Sequence, residues 1–196
     1  MGSLVSGGLL SPRVDTRPNI ILVIPDGLRA LVVNPQTAPA LAALRDRGVN
    51  FRNSHSLFPT VTMANASAMA TGHYLGDTGG YSNTIYTGFP SPGANDSVTP
   101  FMEHDGVIGD VDAAFGGDYL AETTILAAAR AAGIQTAAVG KVGPTLVFDH
   151  TNRTGDPTIV IDDSTGTPNG LPLSAAVQRA MAGAGLPLQT PSRNRQ

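Results

Sequence analysis

The chain has 196 residues, a hydrophobic content of 41% and a formal net charge of -3, which together fit a globular domain with its own core. The slight negative charge offers no basic field for nucleic acid, and the lack of cysteine excludes disulfides, thiolate metal sites and cysteine nucleophiles. No apolar run reaches the roughly 20 residues that a membrane-spanning helix needs.

The two ends of the chain differ in composition from the middle. Residues 1–11 are rich in Gly and Ser and lack the basic start of a signal peptide. Residues 1–16 are therefore predicted to be a tail that is disordered or derived from cloning, and residues 188–196 a polar tail. The folded domain is predicted to occupy residues 17–187.

The first predicted strand is Ile20-Ile21-Leu22-Val23-Ile24, an unbroken and mostly β-branched apolar run. Such a run is typical of a parallel strand buried on both faces. It ends in the turn Pro25-Asp26-Gly27. Asp26 then lies at the carboxyl end of a central strand, where open α/β sheets place their ligands. The alternative is that Asp26 simply forms the turn.

A helix is predicted to follow, with Thr37 as its cap, Pro39 in its first turn and an apolar stripe that ends before Gly48. Residues 49–57 then have a strand-like composition. This β-α-β order implies a right-handed crossover. The crossover is expected to bring Asp26 and Thr62 to one edge of the sheet.

The next helix is predicted to begin at Thr62, because Thr is a good N-cap residue and residues 63–70 are rich in Ala and Met. Gly72 is expected to end it. A hydroxyl at a helix N-terminus lies beside unpaired backbone N–H groups, which suits a phosphate or a nucleophile that attacks one. The alternative is an ordinary capped helix. The flanking His55 and His73 are predicted to be structural.

Residues 76–118 are predicted to form a long ordered loop, because Gly and Pro interrupt them repeatedly. A loop of this length is often functional, here as a wall of the substrate pocket. The acidic residues in it are not spaced as in an EF-hand. We therefore predict that the acidic residues of this segment are exposed to solvent, as is the neighbouring His104. These acidic residues are Glu103, Asp105, Asp110 and Asp112.

The last part of the chain reads as a helix over 121–132, strands over 134–139, 145–148 and 158–161, and a helix over 174–184 capped by Ser174. The pair Gly140-Lys141 lacks the spacing of a phosphate-binding P-loop. Asp149-His150 could ligate a metal, but the loop composition that follows argues against this role.

Three segments together resemble the N-terminal half of the alkaline phosphatase superfamily: PNIILVIPDG at 18–27, FPTVTMAN at 58–65 and ATGHY at 70–74. The nearest branch is the type I phosphodiesterase/nucleotide pyrophosphatase group, and the run from Gly133 to Lys141 looks like its next strand. The resemblance spans residues 18–187. It implies an α/β fold with a mostly parallel central sheet flanked by helices, incomplete in this chain.

The resemblance also implies roles for individual residues. Asp26 corresponds to a ligand of one of two metal ions, Thr62 to the nucleophile and a metal ligand, and Asn65 to the partner of a phosphoryl oxygen. Thr60 competes with Thr62, but its spacing to Asn65 fits less well. The implied cofactors are two divalent ions about 4 Å apart. Zinc is the first expectation, with manganese, magnesium or calcium as alternatives.

The chain departs from the family in lacking the Asp-His-Gly segment and the other metal ligands of the C-terminal half. We expect a metal-dependent phosphoric ester hydrolase, inactive alone and completed by a C-terminal fragment or a second chain. The resemblance implies a secreted or periplasmic location. One alternative is a catalytically incomplete remnant that binds a phosphorylated ligand or a protein partner. The other is an unrelated α/β domain.

Overall fold

The computed structural model describes residues 18–168 and 170–187, so the predicted tails 1–16 and 188–196 lie outside the described residues. The chain divides into two compact units, Met1–Asn50 and Phe51–Gln196. In its described part, the first unit contains a short 3₁₀ turn, Ala30–Val32, and one helix, α1, over Pro39–Arg47.

Helix α1 begins one residue later than a cap at Thr37 requires. Its N-cap is Ala38, and Pro39 occupies the first turn as predicted. The Thr37 hydroxyl donates instead to the carbonyl of Val32. The turn before the helix is closed by Asn34, whose Oδ1 accepts from the backbone N–H of Thr37 at 3.0 Å.

The predicted strand over 20–24 is not formed, and residues 49–57 form no strand either. The side chains of Ile20–Ile24 are 44–94% exposed. An apolar run becomes a strand only when a neighbouring backbone satisfies its N–H and C=O groups. The described part of the first unit contains no strand that could do so. The prediction of a buried central strand is therefore wrong for this structure.

The second unit holds the remaining helices: α2 Thr62–Thr71, α3 Leu75–Thr78, α4 Asp105–Ala114, α5 Ile125–Ala131, α6 Pro144–Val147 and α7 Ala175–Gly183. A 3₁₀ turn lies at Pro92–Ala94. Ser174 is the predicted cap of α7, and its Oγ accepts from Val177 N. The helix predicted over 121–132 begins later, at Ile125, and its cap is Thr124, whose Oγ1 accepts from Ala127 N.

The sheet described here has two parallel strands, β1 over Thr136–Gly140 and β2 over Thr158–Asp162, paired from Thr136↔Thr158 to Gly140↔Asp162. Both strands were expected within two residues of these bounds. The mixed α/β class is confirmed, whereas a full central sheet is not seen among the described residues.

The predicted strand over 145–148 is instead helix α6. Pro144 fits the first helical position, and the preceding Gly143 has a φ of 89°, which turns the backbone sharply out of the extended path. Leu146 and Val147 are fully buried in the helix. Apolar residues of this kind are typical of any buried segment, so they could not distinguish a buried helix from a buried strand.

The segment 76–118 is not a continuous loop, because it contains the ten-residue helix α4. His104 caps this helix through Nδ1, which accepts from the backbone N–H of Gly106 and Val107. Asp105 is 1% and Asp112 is 5% exposed. The side chain of Glu103 is 7% exposed. The prediction of solvated acidic residues is therefore wrong for these three, which have partners far away in sequence.

One hydrophobic core occupies the second unit. Helix α2 contributes Met63, Ala66 and Ala70 to this core, α4 contributes Ile108, and α6, which contacts α2, contributes Leu146. The small side chains of α2 allow close approach of these elements. No helix among the described residues is long and apolar enough to span a membrane.

Candidate functional site at the N-terminus of helix α2

Helix α2 starts one residue earlier than a cap at Thr62 requires. Val61, in an extended conformation, is the N-cap, and Thr62 is the first helical residue, with no side-chain capping bond. The far end is as predicted: Gly72 adopts a left-handed conformation with a φ of 75° and ends the helix. Thr62 therefore lies among the free N–H groups of the first turn.

The residue Thr62 is half-buried, and its hydroxyl makes no hydrogen bond with any residue that the structure describes. The next side chain, Met63, is 0% exposed and anchors the helix in the core. A reactive group on a firmly packed element is held in a defined place. The arrangement thus presents an unengaged hydroxyl at the positive end of a ten-residue helix.

Asn65 ties the preceding loop to the first turn of α2. Its Oδ1 accepts from Leu57 N at 2.8 Å, and its Nδ2 donates to the carbonyls of Val61 at 3.0 Å and Pro59 at 3.2 Å. These bonds hold the loop that carries the exposed Thr60. The predicted contact of Asn65 with a phosphoryl oxygen stays a prediction.

Asn83 is a site residue that the sequence analysis missed. Its Oδ1 accepts from the backbone N–H of Met63 at 2.8 Å and so caps α2 from a segment 20 residues away. Its Nδ2 donates to Glu103 Oε1 at 3.2 Å. Within the described residues the second N–H of this amide makes no hydrogen bond. No local pattern identifies such a residue, because it lies in an irregular segment.

Glu103 and Lys141 complete this group of polar residues. The Glu103 side chain is 7% exposed and forms an ion pair with the Lys141 ammonium, whose side chain is 38% exposed. Lys141 follows β1 in the Gly-Lys pair that lacks P-loop spacing. In the structure, the Lys141 ammonium contacts the Glu103 carboxylate.

Asp26 lies in the first unit, in an exposed turn where Leu28 N donates to Pro25 O at 3.4 Å and Gly27 has a φ of 71°. Thr62 and Asn65 lie in the second unit. The turn itself is as predicted. The expected proximity of Asp26 to Thr62 stays a prediction.

The described residues contain no group of three or more His, Asp or Glu side chains that could hold a metal ion. One carboxylate and one hydroxyl are too few ligands for two tightly bound divalent ions, which take four or more donors each. The described residues therefore do not fit a two-metal centre by themselves.

The side chains of Asp149 and His150 bind different residues of the protein and do not converge on one point where a metal ion could lie. Asp149 accepts from Arg130 Nε at 3.1 Å and from its Nη2 at 2.9 Å. His150 Nδ1 lies 2.9 Å from Asp112 Oδ1, and its ring packs edge-on against Tyr119. Both residues are buried, and their side chains bind other elements of the second unit.

Two buried carboxyl groups, Asp105 and Asp162, lie next to each other at the start of α4 and the end of β2. Burial raises the pKa of Asp105 to about 7, helped by the hydrogen bond with Asp162 and by its charge. The N–H of Gly143, which donates to Asp105 Oδ1 at 3.1 Å, and the charge of Arg153 act in the opposite direction on this pKa. Burial beside Asp162 thus favours the protonated form of Asp105.

Comparison with known proteins gives one positive result. Searches among curated proteins and among solved structures each find no match. The family model for type I phosphodiesterase/nucleotide pyrophosphatase matches residues 20–186, which is most of the chain and includes Asp26, Thr62, Asn65 and Asn83. The chain therefore belongs to the type I phosphodiesterase/nucleotide pyrophosphatase family of the alkaline phosphatase superfamily.

Proposed function

We propose that the chain supplies the nucleophile of a metal-dependent phosphoric ester hydrolase. Membership of the family suggests phosphoric ester hydrolysis. The observation that carries the proposal is the hydroxyl of the half-buried residue Thr62, which lies in the first turn of α2 without a protein partner among the described residues.

In the proposed reaction, Thr62 Oγ1 attacks the phosphorus of the ester. The Oγ1–P bond forms while the bond from phosphorus to the leaving-group oxygen breaks, the hydroxyl proton passes to solvent and the leaving group takes up a proton. Water then hydrolyses the phosphothreonine. Free N–H groups of the first helical turn and the second N–H of Asn83 are the donors available for negative charge on the phosphoryl oxygens. Asn65 stays a proposed partner of a phosphoryl oxygen, but its Nδ2 here donates to the carbonyls of Val61 and Pro59, so this role requires one of these bonds to break.

We further propose that the complete site takes two divalent ions, with zinc first and manganese, magnesium or calcium as alternatives. Asp26 and Thr62 are the proposed ligands from the described residues. The others would have to come from a C-terminal fragment or a second chain, because the described residues contain no ligand cluster. This chain alone is then expected to be a poor catalyst.

The test is hydrolysis of bis(p-nitrophenyl) phosphate by the chain with added zinc or manganese, alone and with a candidate completing chain. We expect Thr62→Ala to lower the rate by about 100-fold or more, because it removes the attacking oxygen. Thr62→Ser should keep part of the activity. Thr60→Ala is the matched control, since Thr60 is an exposed hydroxyl on the preceding loop.

Equal losses from Thr60→Ala and Thr62→Ala would count against Thr62 as the nucleophile. Full activity of Thr62→Ala would reject the proposal outright. A chelator should abolish turnover if the reaction needs divalent ions.

A second candidate function is binding of a phosphorylated ligand without turnover. It is favoured by the N-terminus of α2 itself, where backbone N–H groups and the Asn83 amide can receive a phosphate without a metal. This alternative predicts phosphate binding that is indifferent to chelator, and no hydrolysis with any completing chain.

A further inference from the structure

A chain of polar contacts runs from the N-terminus of α2 to the segment after β1. It links the Met63 N–H, the Asn83 amide, the Glu103 carboxylate and the Lys141 ammonium, and we call it the cap chain. Resting on the function proposed above, we propose that Glu103 and Lys141 are positioning residues, which hold Asn83 against the helix end that carries Thr62.

The first step in the argument is the orientation of the Asn83 amide. An amide has one acceptor and one donor end, and here the acceptor faces the Met63 N–H while the donor faces Glu103 Oε1. A rotated amide would place its N–H₂ group against the N–H of Met63 and its oxygen against a carboxylate. Glu103 therefore selects the orientation in which Asn83 caps α2.

The second step concerns the charge of Glu103. A carboxylate with a side-chain exposure of 7% needs compensation for its lost hydration. Asn83 donates to one of its oxygens, and Lys141 pairs with the other. Lys141 thus binds one oxygen of the Glu103 carboxylate and leaves the other oxygen to accept from Asn83.

The third step is that other contacts hold the backbone segments that carry Asn83, Glu103 and Lys141, independently of these side chains. Met102 N donates to the carbonyl of Asn83 at 2.8 Å. Gly143 is packed so closely that an added Cβ would lie 2.5 Å from the Cα of Glu103. Neutralising the Glu103–Lys141 pair should therefore leave both segments in place and change mainly the hold on Asn83.

The experiment measures hydrogen exchange of the Met63 amide by NMR in the full chain. The variants are Lys141→Met, which removes the charge, and the double variant Glu103→Gln/Lys141→Met, which avoids an unpaired buried carboxylate if the single variant fails to fold. The control variant is Arg179→Met, an exposed cation on α7. The internal control is the Gly72 amide, which donates to Ala68 O at the other end of α2.

We expect Met63 exchange to accelerate by roughly tenfold in the double variant, the effect of weakening a single hydrogen bond, while Gly72 exchange stays unchanged. Asn83→Ala sets the upper limit of this acceleration. Unchanged Met63 exchange in the double variant, with a clear acceleration in Asn83→Ala, would overturn the proposal. Equal acceleration at Met63 and Gly72 would overturn it too, because it would show general loosening of the helix.

Kinetics separate positioning from a merely structural role. With bis(p-nitrophenyl) phosphate and its phosphorothioate analogue, the double variant should show a lower kcat, a nearly unchanged KM and an altered rate ratio between the two substrates. A simple loss of folded protein would leave that ratio unchanged, and this result would contradict positioning. Suppose that Met63 exchange accelerates in the double variant but the unmodified chain hydrolyses nothing with any completing chain. The cap chain would then be supported, and the proposed hydrolase function would be rejected.

Discussion

At the scale of single residues, the raised pKa of Asp105 makes stability depend on pH. An ordinary Asp side chain has a pKa of 3.8, whereas the pKa of Asp105 in the folded chain is about 7. Between these values the folded chain binds a proton that the unfolded chain has lost. The stabilisation is therefore fully present below about pH 4 and is lost as the pH rises through about 7.

We predict that Asp105→Asn flattens this dependence. The Asn side chain matches the shape of the protonated carboxyl, can still accept from Gly143 N and can donate to Asp162. Urea denaturation at pH 5 and pH 8 should therefore give similar midpoints for the variant, whereas the parent chain should be less stable at pH 8. Asp118→Asn, at an exposed position, should retain the parent dependence. A variant as pH-sensitive as the parent would show that another group is responsible.

The residue scale also shows which parts of the site the sequence could predict. Thr62 and Asn65 stand close together in a recognisable segment, so the motif predicted them, and their roles stay predictions. Asn83 contacts Met63 and Glu103, each of which is 20 residues away. Asp105 meets Gly143 across 38 residues. A pattern of neighbouring residues contains no information about such pairs, and buried acids were accordingly mistaken for solvated ones.

At the scale of elements, the segment between β1 and α6 depends on Gly143. Its N–H donates to Asp105, and its φ of 89° is a conformation that other residues adopt only with strain. Val142 N donates to Asp163 Oδ1 at 2.6 Å in the same segment. The position of Lys141, and hence of the cap chain, follows from this backbone path.

We predict that Gly143→Ala destabilises the chain by about 2–4 kcal/mol, through backbone strain and the clash with Glu103. Gly133→Ala is the matched control, because Gly133 has a φ of 74° but an added Cβ would meet nothing within 4 Å. It should cost about 1–2 kcal/mol from strain alone. Urea denaturation measures both, and equal losses would contradict the packing argument.

The helices whose ends carry local signals were predictable, and those held by tertiary contacts were not. The cap at Ser174 and the stop at Gly72 are each formed within a few residues. The composition of Thr145–Phe148 favours a strand, whereas Gly143 and Pro144 make this segment part of helix α6. The apolar run Ile20–Ile24 has strand composition but no strand partner in the described first unit.

At the scale of the whole molecule, apolar burial is divided unequally between the two units. Every residue of the hydrophobic core cluster lies between Met63 and Leu171, in the second unit. In residues 18–50 the structure buries one side chain, that of Ala42. Cooperative unfolding depends on a shared apolar core, so the second unit should account for it.

We predict that a chain of residues 51–196 unfolds cooperatively, with a midpoint within a few degrees of the full chain. A chain of residues 1–50 should show no cooperative transition. Circular dichroism against temperature measures both. Loss of cooperativity in the 51–196 chain would show that the first unit contributes to the stability of the core.

The cap chain has a consequence for biosynthesis. A ribosome releases Thr62 and its helix first, then Asn83, then Glu103 and finally Lys141, since this is their order in the sequence. Helix α2 can form from local contacts as soon as it emerges, but each later member of the cap chain must wait for its own synthesis. The N-terminal end of α2, which carries Thr62, is therefore the last part of the helix to be fixed.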